Sequence, residues 1–228
     1  MIDAASASAI LGRLRGRLIV SCQPVVGGAL DRTEFVVALA QAVAGAGAAG
    51  LRIEGVARVA AVCGAVDVPV IGIVKTDLAD SPVRITPHLA DIDALAGAGA
   101  GIIAFDATDR ARPAPVAEMV TRIHRHGRIA MADVSTRAEG RAAAAAGADI
   151  VASTLAGYVA GPAPTAPDLA LVADLAADGF TVIAEGNVRT PEHAAAALAA
   201  GAFAVVAGSA ITRPEHVTRW FLDALGSG

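Results

Sequence analysis

Residues 69–77 read PVIGIVKTD. Four branched apolar side chains, Val70, Ile71, Ile73 and Val74, run straight into one lysine, Lys75. A short segment that is apolar on both faces is a strand covered on both sides, as strands of parallel sheets are. Pro69 suits the first position of such a strand, where a missing N–H matters least. Lys75 then stands where the strand runs out, the end at which parallel barrels build their active sites. Desolvation in an apolar mouth lowers the pKa of a lysine and lets it act as a base. Taken alone, the same lysine also reads as a side chain snorkelling to solvent.

Outward from this stretch the pattern recurs. Apolar runs at Leu18–Gln23, Gly50–Ile53, Val70–Lys75, Gly101–Asp106, Arg128–Asp133, Asp149–Thr154, Thr181–Glu185 and Ala204–Ala207 read as eight strands. Helical segments follow them at Asp31–Gly45, Glu54–Gly64, Pro87–Ala98, Pro113–His126, Arg137–Ala146, Asp168–Ala177, Pro191–Ala200 and Pro214–Leu225. Asp31, Thr33, Thr86, Ser135 and Thr136 are the cap candidates. A short amphipathic helix, Ala4–Arg15, precedes the first strand, where it can plug the bottom of a barrel. The alternation predicts an α/β fold, one (β/α)8 TIM barrel over residues 1–228. An open doubly wound sheet is the alternative. Eight units without a dinucleotide fingerprint favour closure.

Composition narrows the function. The chain has 228 residues, a net charge of -4 and 3% aromatic residues. Without a basic stripe or interleaved aromatics, nucleic acid is not an expected partner. Cys22 and Cys63, each in apolar surroundings, suggest a reducing compartment and no disulfide framework. The first residues lack the pattern of a secretion signal. Ala194–Thr212 is uncharged and about as long as a membrane span, but its glycines and change of period read better as a helix followed by a buried strand. The expectation is a cytoplasmic protein with no membrane partner.

The strand ends carry the chemistry. They deliver Gln23, Arg52, Lys75, Asp106, Asp133, Thr154, Glu185 and Gly208, seven of them polar after apolar runs. Complementary charge on Arg52, Lys75 and Glu185 suits an anionic substrate and acid/base work. Glycines follow the last two strands in AEGN and AGSAITRP, where barrels bind phosphate with backbone N–H groups. Gly186 and Gly208 are therefore candidates, and Arg213 reads either as an added charge at that site or as a solvated residue at the start of the last helix. The five histidines, His88, His124, His126, His193 and His216, lack ligand spacing and read as surface or structural residues, so no metal is expected.

In order, LIVSCQ, the arginine of GLRI, PVIGIVK, FDAT with RARP, MADVST, STLAGY, AEGN and GSAITRP resemble the N-acetylmannosamine-6-phosphate 2-epimerases, over nearly the whole chain from Leu18. The resemblance implies interconversion of N-acetylmannosamine 6-phosphate and N-acetylglucosamine 6-phosphate by inversion at C2, without a cofactor, in sialic acid and amino-sugar catabolism. It places the acid/base pair on Lys75 and Glu185, substrate contacts on Gln23, Arg52 and Asp133, and the phosphate loops on Gly186–Asn187 and Gly208–Ser209, with Arg213 beside them. Asp106 and Thr154, as strand ends, and Tyr158, in STLAGY, join the substrate candidates. A homodimer is also implied. Asn187 departs from the family, which often has a basic residue there, and so does Ala156, which stands where a hydroxyl residue is common. A Schiff-base aldolase on Lys75 and a non-catalytic sugar-phosphate sensor are the rival readings.

Overall fold

The computed structural model of the chain describes residues 4–159 and 164–226. Residues 160–163, in the Gly/Pro-rich loop expected after the sixth strand, lie outside the described residues. Eight strands, β1 (Leu18–Ser21), β2 (Gly50–Glu54), β3 (Val70–Ile73), β4 (Ile102–Asp106), β5 (Ile129–Asp133), β6 (Ile150–Ala152), β7 (Val182–Ala184) and β8 (Ala204–Ala207), close into a barrel in chain order. Every pairing is parallel, including the β1–β8 pairing that shuts it. The open-sheet alternative is thereby excluded.

Among the described residues, one helix precedes β1, one lies between each successive pair of strands, and two follow β8. They are α1 (Ala4–Leu14), α2 (Thr33–Gly45), α3 (Val56–Cys63), α4 (Leu89–Gly97), α5 (Val116–Arg125), α6 (Arg137–Ala145), α7 (Leu169–Ala177), α8 (Pro191–Ala199), α9 (Ser209–Thr212) and α10 (Pro214–Ala224). The one-turn α9 was not expected from sequence. It is four residues long and directly follows β8, so it carries no amphipathic period to read.

Strand residues alternate between two cores. Ile19, Ile71, Ile73, Ile102, Ala104, Ile129, Met131, Ile150, Ala152, Ile183, Ala204 and Val206 form the barrel interior, with Leu14 of α1 among them. Helix α1 thus plugs the bottom, and Gly50 is a glycine because a β-carbon there would come within 2.8 Å of Leu14 Cδ2. The other parity, including Val20, Leu51, Ile103, Phe105, Val151 and Val205, packs against the helices. Gln23, Arg52, Lys75, Asp106, Asp133, Thr154, Glu185 and Gly208 all fall on the interior parity. The period that fills the barrel therefore also aims these side chains at its top.

Several sequence-based boundaries move. Strand β3 ends at Ile73, and Lys75 forms an isolated antiparallel bridge with Ile85. The loop between them folds back, with Thr76 N–H donating to the Arg84 carbonyl and Thr86 N–H to the Val74 carbonyl. Thr86 is not the cap of α4. It is fully buried at φ 48°, and its hydroxyl donates to the Ala104 carbonyl at 2.7 Å, pinning this loop to β4. Asp91 instead accepts the His88 N–H at the start of α4. Asp31 and Thr33 do not cap α2, whose N-cap is Arg32. Asp31 instead accepts from Gly27 N–H and Arg58. Thr136, Asp168 and Thr190 do cap α6, α7 and α8. Ala194–Thr212 divides into the end of α8, a turn at Gly201, β8 and α9. Among the described residues, no helix is long and apolar enough to cross a membrane.

Candidate active site

The C-terminal ends of the strands open into a cavity of about 640 Å³. Gln23, Lys75, Asp106, Thr154, Tyr158, Glu185, Gly186, Asn187, Gly208, Ser209 and Arg213 all line it. Arg52 and Asp133 do not. They are buried beneath the wall, 1% and 0% exposed.

Their arrangement explains the burial. Arg52 Nη2 donates to Asp133 Oδ2 at 2.6 Å, and Nη1 donates to Asp133 Oδ1 at 3.1 Å and to Glu185 Oε2 at 2.9 Å. The fork geometry of arginine makes the Asp133 contact bidentate. Thr154 adds a hydroxyl donor to Asp133 Oδ1 at 2.6 Å. Burial alone would lower the Arg52 pKa, but Asp133 and Glu185 overcome it and hold the guanidinium charged. Glu185 is the charged member of this cluster that reaches the cavity. Its backbone is clamped by Ser153, whose Oγ donates to the Glu185 carbonyl at 3.0 Å and accepts the Glu185 N–H at 3.2 Å.

Burial pushes the Glu185 carboxyl up from 4.5 to about 7; Arg52 opposes this, and the neighbouring Asp133 charge reinforces it. Lys75 moves the other way. Crowding by the barrel end, then the charges of Arg52 and Arg213, lower it from 10.5 to about 8. Lys75 is an exposed residue that lines the cavity, and among the described residues it has no ion-pair or hydrogen-bond partner for its ammonium. The two groups therefore move toward each other from their ordinary values. A proton can then sit on either group at little cost, as a two-base site requires.

Asp106 is at the cavity edge, but both its oxygens are taken. Thr108 donates to Oδ1 through its N–H and hydroxyl, Arg110 donates to Oδ2 at 2.6 Å, and Arg112 also contacts Oδ1. Gln23 is nearly buried and gives its amide N–H to Ser21 Oγ at 2.7 Å, while its Oε1 has no partner among the described residues. Tyr158 is half exposed, and its hydroxyl accepts from Asn187 Nδ2 at 2.7 Å.

At the β7 and β8 ends the backbone comes close to the cavity. Gly186 has φ 110°, a conformation that favours glycine. Gly208 packs against Ser21, where a β-carbon would come within 3.3 Å of Ser21 Cβ. Arg213 is anchored by its Nε, which donates to the Gln23 carbonyl at 2.6 Å, leaving its two terminal nitrogens for a ligand.

Sequence reasoning missed Ser21, Ser153, Arg110, Arg189 and Trp220, and read His216 as surface or structural although it lines the cavity. Ser21 was legible, since it shares interior parity with Ile19 and Gln23. The others sit on loops, on α10 or on the outer parity, where no period marks them. Cys22 is a core residue, its thiol pushed up to about 12 by burial. Among the described residues, no three His, Cys, Asp or Glu side chains come together as a metal site would need.

Comparison with known proteins identifies the family. The sequence profile of the family described as "NanE: Putative N-acetylmannosamine-6-phosphate epimerase" matches residues 36–227. A "Putative N-acetylmannosamine-6-phosphate 2-epimerase" of Vibrio vulnificus is 56% identical over 211 residues, covering 92% of this chain and 94% of that protein. A "Bifunctional enzyme NanE/NanK" of Brucella melitensis is 58% identical over 219 residues, 96% of this chain, and the chain spans 42% of that protein's length. The solved N-acetylmannosamine-6-phosphate 2-epimerase from Clostridium perfringens superposes with a TM-score of 0.91 at 38% identity, over 94% of this chain and 95% of that one. The chain belongs to the N-acetylmannosamine-6-phosphate 2-epimerase family.

Proposed function

We propose that the chain interconverts N-acetylmannosamine 6-phosphate and N-acetylglucosamine 6-phosphate by moving a proton at C2 of the open-chain sugar. The observation that carries this reading is the convergence of Lys75, near 8, and Glu185, near 7, on one cavity. The C2–H bond is acidic when C1 is an aldehyde, because its electrons can move into the C1–C2 bond and onto the C1 oxygen as an enediolate. One of the pair takes the C2 proton. The other returns a proton to the opposite face, and the centre inverts. The sugar supplies its own electron sink, so the chemistry calls for no cofactor.

The remaining residues follow from placement. Arg52 and Asp133 act from beneath the wall by holding the Glu185 carboxylate. Gln23 offers a polar group to the sugar, and Thr154 and Tyr158 line the path. Asp106 acts by holding Arg110 at the cavity edge. The Gly186–Asn187 and Gly208–Ser209 backbones, with Arg213, receive the phosphate. Helix α10 buries none of its residues and exposes Phe221 and Leu222, with exposed Leu225 at its C-cap, a face suited to a second copy in a homodimer. Two free cysteines suit the cytoplasm.

Borohydride added during turnover separates this reading from Schiff-base chemistry. The expected result is conversion of the sugar phosphate with Lys75 unlabelled. Irreversible labelling of Lys75 with loss of activity would contradict it.

A further inference from the structure

The two ends of the cavity differ in how their cations are paired. On the β3–β4 side Arg84 is ion-paired with Asp77 and Arg110 with Asp106. On the β7–β8 side Arg189 and Arg213 line the cavity, and among the described residues neither has a carboxylate within 4 Å. Positive charge with no carboxylate in ion-pair contact among the described residues is therefore concentrated at the end where glycine turns bring the backbone to the cavity.

Arg189 is held rather than loose. Its Nη2 donates to Asn187 Oδ1 at 3.0 Å, and its guanidinium carbon lies 5.0 Å from the centre of the Trp220 ring. Asn187 is fixed in turn, at φ 53°, by donating to the Tyr158 hydroxyl at 2.7 Å. The amide of Asn187 thus spans Tyr158 and Arg189. These contacts use one N–H and one face of the guanidinium; its other N–H groups find no acceptor among the described residues.

We infer that Arg189 is a second phosphate-binding arginine, presented by Asn187 and Trp220 beside Arg213. This rests on the sugar-phosphate reading above. A phosphate monoester carries about -1.5 to -2 charge at pH 7, so Arg213 alone leaves it under-neutralised. Two arginines match the dianion in charge and in forked donor geometry. Asn187 is a positioning residue, acting through Arg189.

The test is calorimetric titration with inorganic phosphate, alongside steady-state kinetics, on the whole chain. Arg189→Gln is expected to weaken phosphate binding and raise KM at least tenfold, with kcat within threefold of wild type. Arg189→Lys should recover part of the loss. Asn187→Gly, which keeps the backbone conformation, should weaken phosphate in the same direction, and less than additively with Arg189→Gln. Phosphate affinity and KM unchanged in Arg189→Gln, or a fall in Tm and kcat alone as from a strut between the loop and α10, would overturn the inference. The titration does not depend on turnover. Arg189-dependent phosphate binding by a protein that epimerises no sugar would overturn the proposed reaction and leave this inference standing.

Discussion

Arg52 Nη1 lies 2.9 Å from Glu185 Oε2, while the rest of the same guanidinium is locked onto Asp133. One buried cation is thus shared between a carboxylate that never meets the cavity and one that lines it. Glu185 receives only part of the positive charge, and this is why burial can still hold it above the ordinary carboxylate range.

Arg52→Met leaves Asp133 and Glu185 buried without their cation. Breaking such a group from one side costs about 3–5 kcal/mol. Urea unfolding of the variant should show a loss of that order, with activity abolished. Unchanged stability would mean that the cluster is not the support described here.

The pH dependence follows from the pair. Below about 7 Glu185 is protonated while Lys75 is still an ammonium, so no base remains. Above about 8 Lys75 loses its proton while Glu185 is already ionised, so no acid remains. The kcat/KM profile should be a narrow bell between those limbs, which belong to the pair. Asp133→Asn removes a negative charge that raises Glu185 and should move the acid limb to lower pH. An unmoved limb would separate that titration from Glu185.

Lys75→Ala and Glu185→Gln should each lower kcat by about 10²–10⁴-fold, the usual size of one general acid or base. Thermal unfolding should place both variants near wild type, since Lys75 has no hydrogen-bond or ion-pair partner among the described residues and Gln is isosteric with Glu. Wild-type turnover in Lys75→Ala would end the two-base account.

Gly140, inside α6, should resist substitution for a packing reason. A β-carbon there would run into Leu175 of α7 and come within 3.2 Å of Val151 Cγ1 in β6. Gly140→Ala gains helix propensity of about 1 kcal/mol but should lose about 1–3 kcal/mol to overpacking. A stabilised variant would show that α6 shifts outward freely.

The barrel was legible because its two cores impose a period of two on every strand, and that period also sorts the strand-end residues toward the top. Lys75 could be singled out from PVIGIVKTD alone. Arg52 was legible as a charge and misleading as a contact: parity places it inside the barrel but does not say that Asp133 and Glu185 draw it below the cavity floor. Arg189 was invisible because it belongs to a loop, where neither period nor burial pattern applies. Asn187, noted as a departure from the family, turns out to be the residue that holds it. Thr86 looked like a helix cap because a hydroxyl precedes Pro87; its hydroxyl is instead used across the loop, on Ala104.

Proton NMR of N-acetylmannosamine 6-phosphate with the purified protein in D2O tests the central claim most directly. The account predicts N-acetylglucosamine 6-phosphate carrying one deuterium at C2 for each turnover, because the returning proton comes from a group that has exchanged with solvent. Unchanged sugar in the presence of folded protein, or product that retains protium at C2, would contradict it.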